Sequence, residues 1–165
     1  MEKNDLKFLI LFFYYNRPEM VLNAIKSLNK NTYKNFEIAF IDDGSDQPGE
    51  EVVRNELKPS FVKKTTFYNT NDTVEAKIER GGSEFGKIAN EAVKNSDADI
   101  VLMLCDDDAL FPDYLDKLNK FYRYNPKINY AYCKLKYYDP TKQSYTKAKE
   151  NEEDDHTKLI NPVTN

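Results

Sequence analysis

The 165-residue sequence is short of cysteine, histidine and glycine, and it has no surplus of positive charge. Its two cysteines, Cys105 and Cys133, lie far apart without companions at metal-ligand spacing. That argues against a cysteine zinc site or a disulfide framework and reads as buried strand thiols in a reducing cytosol. The single histidine, His156, falls in a polar stretch and reads as solvated rather than as a base. With 24 basic and 28 acidic side chains the net charge is -4, which gives no electrostatic reason to expect nucleic acid or an anionic membrane as a partner. A phosphate-bearing ligand would then need a metal or local cations. No apolar run is long enough for a transmembrane segment, and the one at 8–15 is too short even for a secretory core with its cleavage site, so a cytoplasmic protein is the expectation. Internal repeats and low-complexity segments are absent too.

The five glycines are placed where they exclude several phosphate-handling folds. No G-x-G-x-x-G follows the first apolar run and no G-x-x-x-x-G-K-S/T occurs, which removes the dinucleotide fold and the P-loop. The glycine-rich turn of sugar-phosphate nucleotidyltransferases is replaced by FYYNRP at 13–18. A response-regulator receiver would carry acids after its first and third strands; here they follow the second and fourth.

Hydrophobic residues make up 40% and charged residues 32%, an ordinary balance for one soluble domain with a real core. KFLILFFYY at 7–15 reads as a buried strand, and Asn16-Arg17-Pro18-Glu19 as the opening of a helix with Val21, Leu22, Ile25 and Leu28 on one face. A second apolar run at 36–41 ends in Asp42-Asp43-Gly44-Ser45, where Gly44 suits a tight turn and Ser45 can cap a helix over 50–57. KTTFY at 64–68 is a third strand, followed by a polar stretch at 69–82 and a helix carrying Phe85, Ile88, Ala89, Ala92 and Val93. IVLML at 100–104 is expected to be a strand buried on both faces, with a helix from Pro112 to Tyr124 after it that turns Leu115, Leu118, Phe121 and Tyr122 inward. A last strand is expected over 129–137, and residues 141–165 form a polar, acidic tail or the start of a further part.

Strands and helices alternating at these intervals predict an α/β fold with a mostly parallel, doubly wound, Rossmann-like sheet over residues 1–140. With strand order 3-2-1-4, the crevice opens beyond the strand ends that carry residues 14–17, Asp42-Asp43 and Asp106-Asp107-Asp108. Three adjacent carboxylates repel one another unless a cation or a set of donors relieves them, so a divalent metal is the first candidate and a solvated acidic loop the plain alternative.

The aromatic-Asn-Arg-Pro after strand one, D-D-G-S after strand two and the acidic cluster before a Pro-started helix together resemble a family 2 glycosyltransferase of the GT-A fold over residues 7–138. The resemblance implies that Phe13 and Tyr15 border a nucleobase, that Asp43 accepts the imide N–H of a uracil, and that Arg80 or Lys77 approaches the base or diphosphate. Arg17 joins the same nucleotide-sugar-binding set. Asp42 would hold the turn. Asp106 and Asp107 would stand for the family's D-x-D, one on the ribose hydroxyls and one on Mn²⁺ or Mg²⁺, with Asp108 a further metal ligand.

This chain departs from that pattern: counted back from Pro112, the first acid of D-x-D falls on Cys105, and Phe13 and Tyr14 replace small residues. The implied function is metal-dependent, inverting transfer of a sugar from a nucleotide-sugar donor, a UDP-sugar first, to a glycan, lipid or protein acceptor. The catalytic base would lie outside this chain. The acids at 150–155 read as a solvated charge run. A nucleotide- and metal-binding module without transfer activity of its own, and a non-catalytic α/β interaction domain, are the alternatives.

Overall fold

The strand β1 (Phe8–Tyr14) is apolar along its whole length, so both of its faces must be covered. In the computed structural model, which describes residues 5–132, 136–139 and 144–147, it is. Phe8, Ile10 and Phe12 are fully buried on one face, and Leu9 and Leu11 nearly so on the other. β1 pairs in parallel with β2 (Phe36–Asp42) on one side and, on the other, with the strand Ile100–Cys105. β2 pairs in turn with β3 (Thr65–Asn69), and with Ile100–Cys105 as β4 the order is β3-β2-β1-β4, as the alternation of elements predicted.

The helices are α1 (Val21–Lys30), α2 (Glu50–Glu56), α3 (Pro59–Val62), α4 (Val74–Arg80), α5 (Phe85–Lys94) and α6 (Tyr114–Tyr124). Ala92 of α5 packs on Leu9, Leu11, Ala39 and Ile41. On the opposite face the ring of Phe36 meets Phe61 of α3 with centroids 4.9 Å apart, and Phe8 meets Tyr33 at 5.5 Å. None of the described helices is long and apolar enough to cross a membrane.

Several expectations are corrected. The first helix begins at Val21 rather than at the Asn16–Glu19 run, because Asn16 adopts φ 51° and residues 17–20 form a turn in which the Met20 and Val21 N–H groups both donate to the Arg17 carbonyl at 3.1 Å. Ser45 caps nothing: the helix after the D-D-G-S turn starts beyond Gly49, and the Ser45 hydroxyl accepts the Asn16 N–H instead. The polar stretch at 69–82 contains α4, started by Thr73, whose side chain accepts the Ala76 N–H, and stopped by left-handed Gly81. α4 has no buried side chain, which is why hydrophobic periodicity missed it.

Among the described residues β4 pairs with β1 alone, and Val101 and Met103 on one face are 45% and 63% exposed. An apolar run reports affinity for a sheet, not a central position in it. Phe121 is exposed, whereas polar Asn119 is buried because its carboxamide oxygen accepts the Leu6 N–H at 3.1 Å.

The chain forms two compact units, Met1–Pro126 and Lys127–Asn165. In the second, residues 127–132 are not in a strand, contrary to the expected strand over 129–137. Lys136–Asp139 is β5 and pairs antiparallel with β6 (Ser144–Lys147). The rest of the expected acidic tail lies outside the described residues.

Candidate functional site

Parallel strands that enter a sheet together deliver their C-terminal ends to one rim. The register makes this concrete: Tyr14 lies opposite Asp42, and Phe13 opposite Cys105, so the three loops leave β1, β2 and β4 at the same level.

The D-D-G-S turn is built by Asp42. Its buried carboxylate accepts the N–H of Ser45 at 2.9 Å and of Gly49 at 3.0 Å, which closes the turn as expected of it. Gly44 occupies φ 70°, and a Cβ there would lie 2.1 Å from the Asp72 carbonyl oxygen. Replacing Gly44 by Ala is therefore expected to cost about 3 kcal/mol, the sum of left-handed strain and a backbone clash. Urea unfolding of the two proteins measures it, and a loss within experimental error would show that the loop simply moves aside.

Asp43 follows outside the turn and is enclosed by donors. Lys77 of α4 pairs with its Oδ2 at 3.0 Å and also donates to its main-chain carbonyl, and the Ser83 hydroxyl donates to Oδ1. The same Lys77 ammonium stands 4.2 Å from the centre of the Tyr15 ring, a cation–π contact. Lys77 thus joins Tyr15 to Asp43. Arg80, placed beside it by helical spacing, turns elsewhere: its guanidinium donates to Asp72 at 2.6 Å and to the Gly82 carbonyl at 2.8 Å. The bond to Arg80 holds the Asp72 carboxyl below the usual carboxylate range, helped by the Glu84 N–H. Asp72 so stabilises the fold above the ordinary carboxylate pKa, and that contribution fades as the pH falls through its lowered folded value.

Phe13 packs against Phe85, ring centroids 5.4 Å apart, on the α5 face of the sheet. Tyr14 is buried, and its hydroxyl donates to the Gln47 carbonyl at 2.7 Å.

On the other side of Tyr15, the acidic loop takes up the β1 loop. Asp106 is 5% exposed; one oxygen accepts the Tyr15 N–H at 3.0 Å and the other accepts from Arg17 at 3.2 Å. Arg17 also donates to Asp107 at 2.8 Å. Farther along, the loop is pinned to α1: the Leu110 N–H donates to the Ser27 hydroxyl at 3.1 Å, and the Pro112 carbonyl accepts the Thr32 N–H at 2.8 Å. The side chains of Cys105, Asp107 and Asp108 converge, each with one ligand atom within 4.8 Å of the others. Burial, then the charge of Asp107, pushes the Asp108 carboxyl up; burial and then the Asp108 charge push the Cys105 thiol up. Two carboxylates and a thiol at this spacing fit a small divalent cation, the oxygens suiting Mg²⁺ or Mn²⁺ and the sulfur a softer ion. The Arg17 guanidinium already pairs with one member of the cluster, Asp107, at 2.8 Å.

The rim therefore brings together Tyr15, Arg17, Asp43, Asp106, Asp107 and Asp108, leaving Phe13 on the α5 face and Arg80 on Asp72. Reading the sequence alone underrated Lys77 and missed Ser83 and Asp72. All three belong to the polar segment around α4, where no apolar pattern signals which side chains face the rim. A hollow of about 360 Å³ lined by Pro18, Leu22, Pro48 and Val52 of the α1–α2 side includes none of these groups.

Comparison with known proteins identifies the fold and the family. An uncharacterized glycosyltransferase of Rickettsia conorii is 30% identical over 122 residues, 74% of this chain and 18% of its own length. One of Haemophilus influenzae is 31% identical over 118 residues, 72% of this chain and 35% of its own. The chain thus spans well under half of these relatives. Among solved structures, residues 1–349 of S. aureus TarS match with a TM-score of 0.55 at 22% identity, covering 71% of this chain and 32% of that one. The same fragment in complex with UDP matches with a TM-score of 0.54 at 21% identity and the same coverage. These likenesses establish the GT-A α/β fold. The model of glycosyl transferase family 2 matches residues 10–163, nearly the whole chain with both acidic motifs inside it. The chain belongs to glycosyl transferase family 2.

Proposed function

We propose that this chain forms the nucleotide-sugar-binding part of a metal-assisted, inverting glycosyltransferase whose donor is a UDP-sugar. One observation carries the reading: Tyr15 is tied through Lys77 to Asp43 and through its own N–H to Asp106, so a base-sized aromatic face lies between the Asp43 carboxylate and an acidic cluster. A uracil stacked on Tyr15 offers its imide N–H to the Asp43 carboxylate, taking the place Lys77 holds. The ribose and diphosphate then extend toward Asp106, Asp107 and Arg17. Asp107 and Asp108 would hold Mn²⁺ or Mg²⁺ against the diphosphate, which supplies positive charge where the leaving group becomes negative. The main-chain bonds that fix Asp106, Asp42 and Arg17 set these groups before the donor arrives, and such preorganisation is where an electrostatic site gains its effect. In this reading a carboxylate from outside the rim deprotonates the acceptor hydroxyl, and inversion follows from attack on the face opposite the nucleotide. The structure of TarS with UDP-GlcNAc, TM-score 0.50, supports a nucleotide-sugar donor. A cytoplasmic setting fits Cys105, which is a free thiol.

Because the chain spans 18% and 35% of its relatives, donor capture without transfer is the second reading. Titration calorimetry with UDP is expected to give binding that tightens about tenfold or more when Mn²⁺ is added. Absence of any UDP heat with or without metal overturns both readings and leaves an interaction domain. UDP release from UDP-sugars across a panel of glycan, lipid and peptide acceptors then separates transfer from capture.

A further inference from the structure

Asp107 takes part in two groupings at once. Its Oδ2 accepts from Arg17 at 2.8 Å, and its carboxylate is also the member of the Cys105–Asp107–Asp108 cluster that lies between the other two in sequence. The neighbouring Asp106 is not free to exchange partners, since it is buried and holds the Tyr15 N–H. Arg17, by contrast, has a fixed backbone and a loose head. Its carbonyl accepts two N–H groups at the start of α1, and the preceding Asn16 is locked by the Ser45 hydroxyl and by the Gln47 N–H, each at 3.0 Å. The Arg17 side chain is nonetheless 49% exposed and reaches its two carboxylates through a single nitrogen.

A fork-shaped guanidinium held by one nitrogen leaves its remaining donors to solvent and can swing away on its stem. A divalent cation held by Asp107 and Asp108 would share the Asp107 carboxylate with that guanidinium. The two positive charges would repel while competing for the same oxygen pair.

We propose that Arg17 is a tethered counter-ion that competes with the divalent cation for Asp107: it neutralises the acidic rim before metal arrives and is released when metal binds. The released guanidinium lies on the rim that, in the functional reading above, receives the diphosphate. This inference rests on that reading for the presence of the metal, and it assigns Arg17 a positioning role through Asp107.

The test is Mn²⁺ binding to the chain without nucleotide, followed by loss of the free-ion electron paramagnetic resonance signal at fixed ionic strength. Wild type, Arg17→Gln, Arg17→Lys, Asp107→Asn and the double variant Arg17→Gln/Asp107→Asn are compared, with matched circular dichroism and melting to show that each is folded. Arg17→Gln is expected to lower the Mn²⁺ dissociation constant about tenfold, while Arg17→Lys, which keeps the charge, stays close to wild type. Asp107→Asn is expected to lose binding in both backgrounds. Unchanged or weaker Mn²⁺ affinity in Arg17→Gln, with Asp107→Asn still defective, overturns the counter-ion role and leaves the metal reading standing. Tightening that persists in the double variant also overturns it, because the competition would then not be for Asp107. No Mn²⁺ binding by any of the proteins, Arg17→Gln included, overturns this inference and the metal reading together.

Discussion

Asp107→Asn is expected to abolish the metal dependence of UDP binding, lowering affinity in the presence of Mn²⁺ by about tenfold or more, to the metal-free level. Asn has the same shape and still offers one oxygen to Arg17, so the loop keeps its geometry while losing the charge. The loss falls on the metal because Asp108 alone is a poor ligand. In the variant the cluster keeps a single carboxylate, where a hard cation takes several oxygen ligands. Calorimetric titration of UDP at several Mn²⁺ concentrations provides the measurement. If the variant retained the full Mn²⁺ effect, the acidic loop would be a structural element and the cation would bind elsewhere.

The second large effect is expected at Asp43. Asp43→Asn should weaken UDP binding by about tenfold to a hundredfold and remove most of the preference for UDP over CDP. A carboxylate can only accept hydrogen bonds, which matches the imide N–H of uracil and mismatches cytosine, whose corresponding nitrogen is itself an acceptor; an amide can present either face. The same change leaves Lys77 facing a neutral group. Lys77 and Asp43 side chains are 16% and 22% exposed, so the ion pair is partly shielded, and about 1–2 kcal/mol of stability should go with it. Comparing UDP and CDP affinities in wild type and variant distinguishes base recognition from general loosening. An equal loss for both nucleotides would assign Asp43 to holding α4 and nothing more.

Both effects concern residues that stand out in the sequence, yet the sequence does not say what surrounds them. D-D-G-S and C-D-D-D close apolar runs, and a strand that leaves the core must deliver its next residues to the rim. For that reason the sequence predicts Asp43 and Asp107 at one rim. It does not predict their different environments. Asp42 and Asp43 are chemically identical neighbours, but strand alternation turns the first into the core, where it accepts the Ser45 and Gly49 N–H groups, and the second toward Lys77. The same holds for Asp106, taken up by the β1 loop, and Asp107, left at the surface. The segment around α4 was the least legible. Its helix is nucleated by a Thr73 cap and ended by Gly81, with no apolar stripe to betray it, although it supplies the cation that occupies Asp43.

By itself, then, the sequence determined the layering and the rim: apolar runs of strand length spaced by helices leave few alternatives to a parallel sheet in the order β3-β2-β1-β4, and each run's end carries its chemistry to one edge. Tertiary structure alone decided that β4 ends the order of the described strands, that Arg17 bridges Asp106 and Asp107, and that Lys77 rather than Arg80 answers Asp43. The reason is physical. Burial patterns repeat along the chain and can be read locally, whereas an ion pair between residues 34 to 90 positions apart depends on where loops without periodicity set down their side chains.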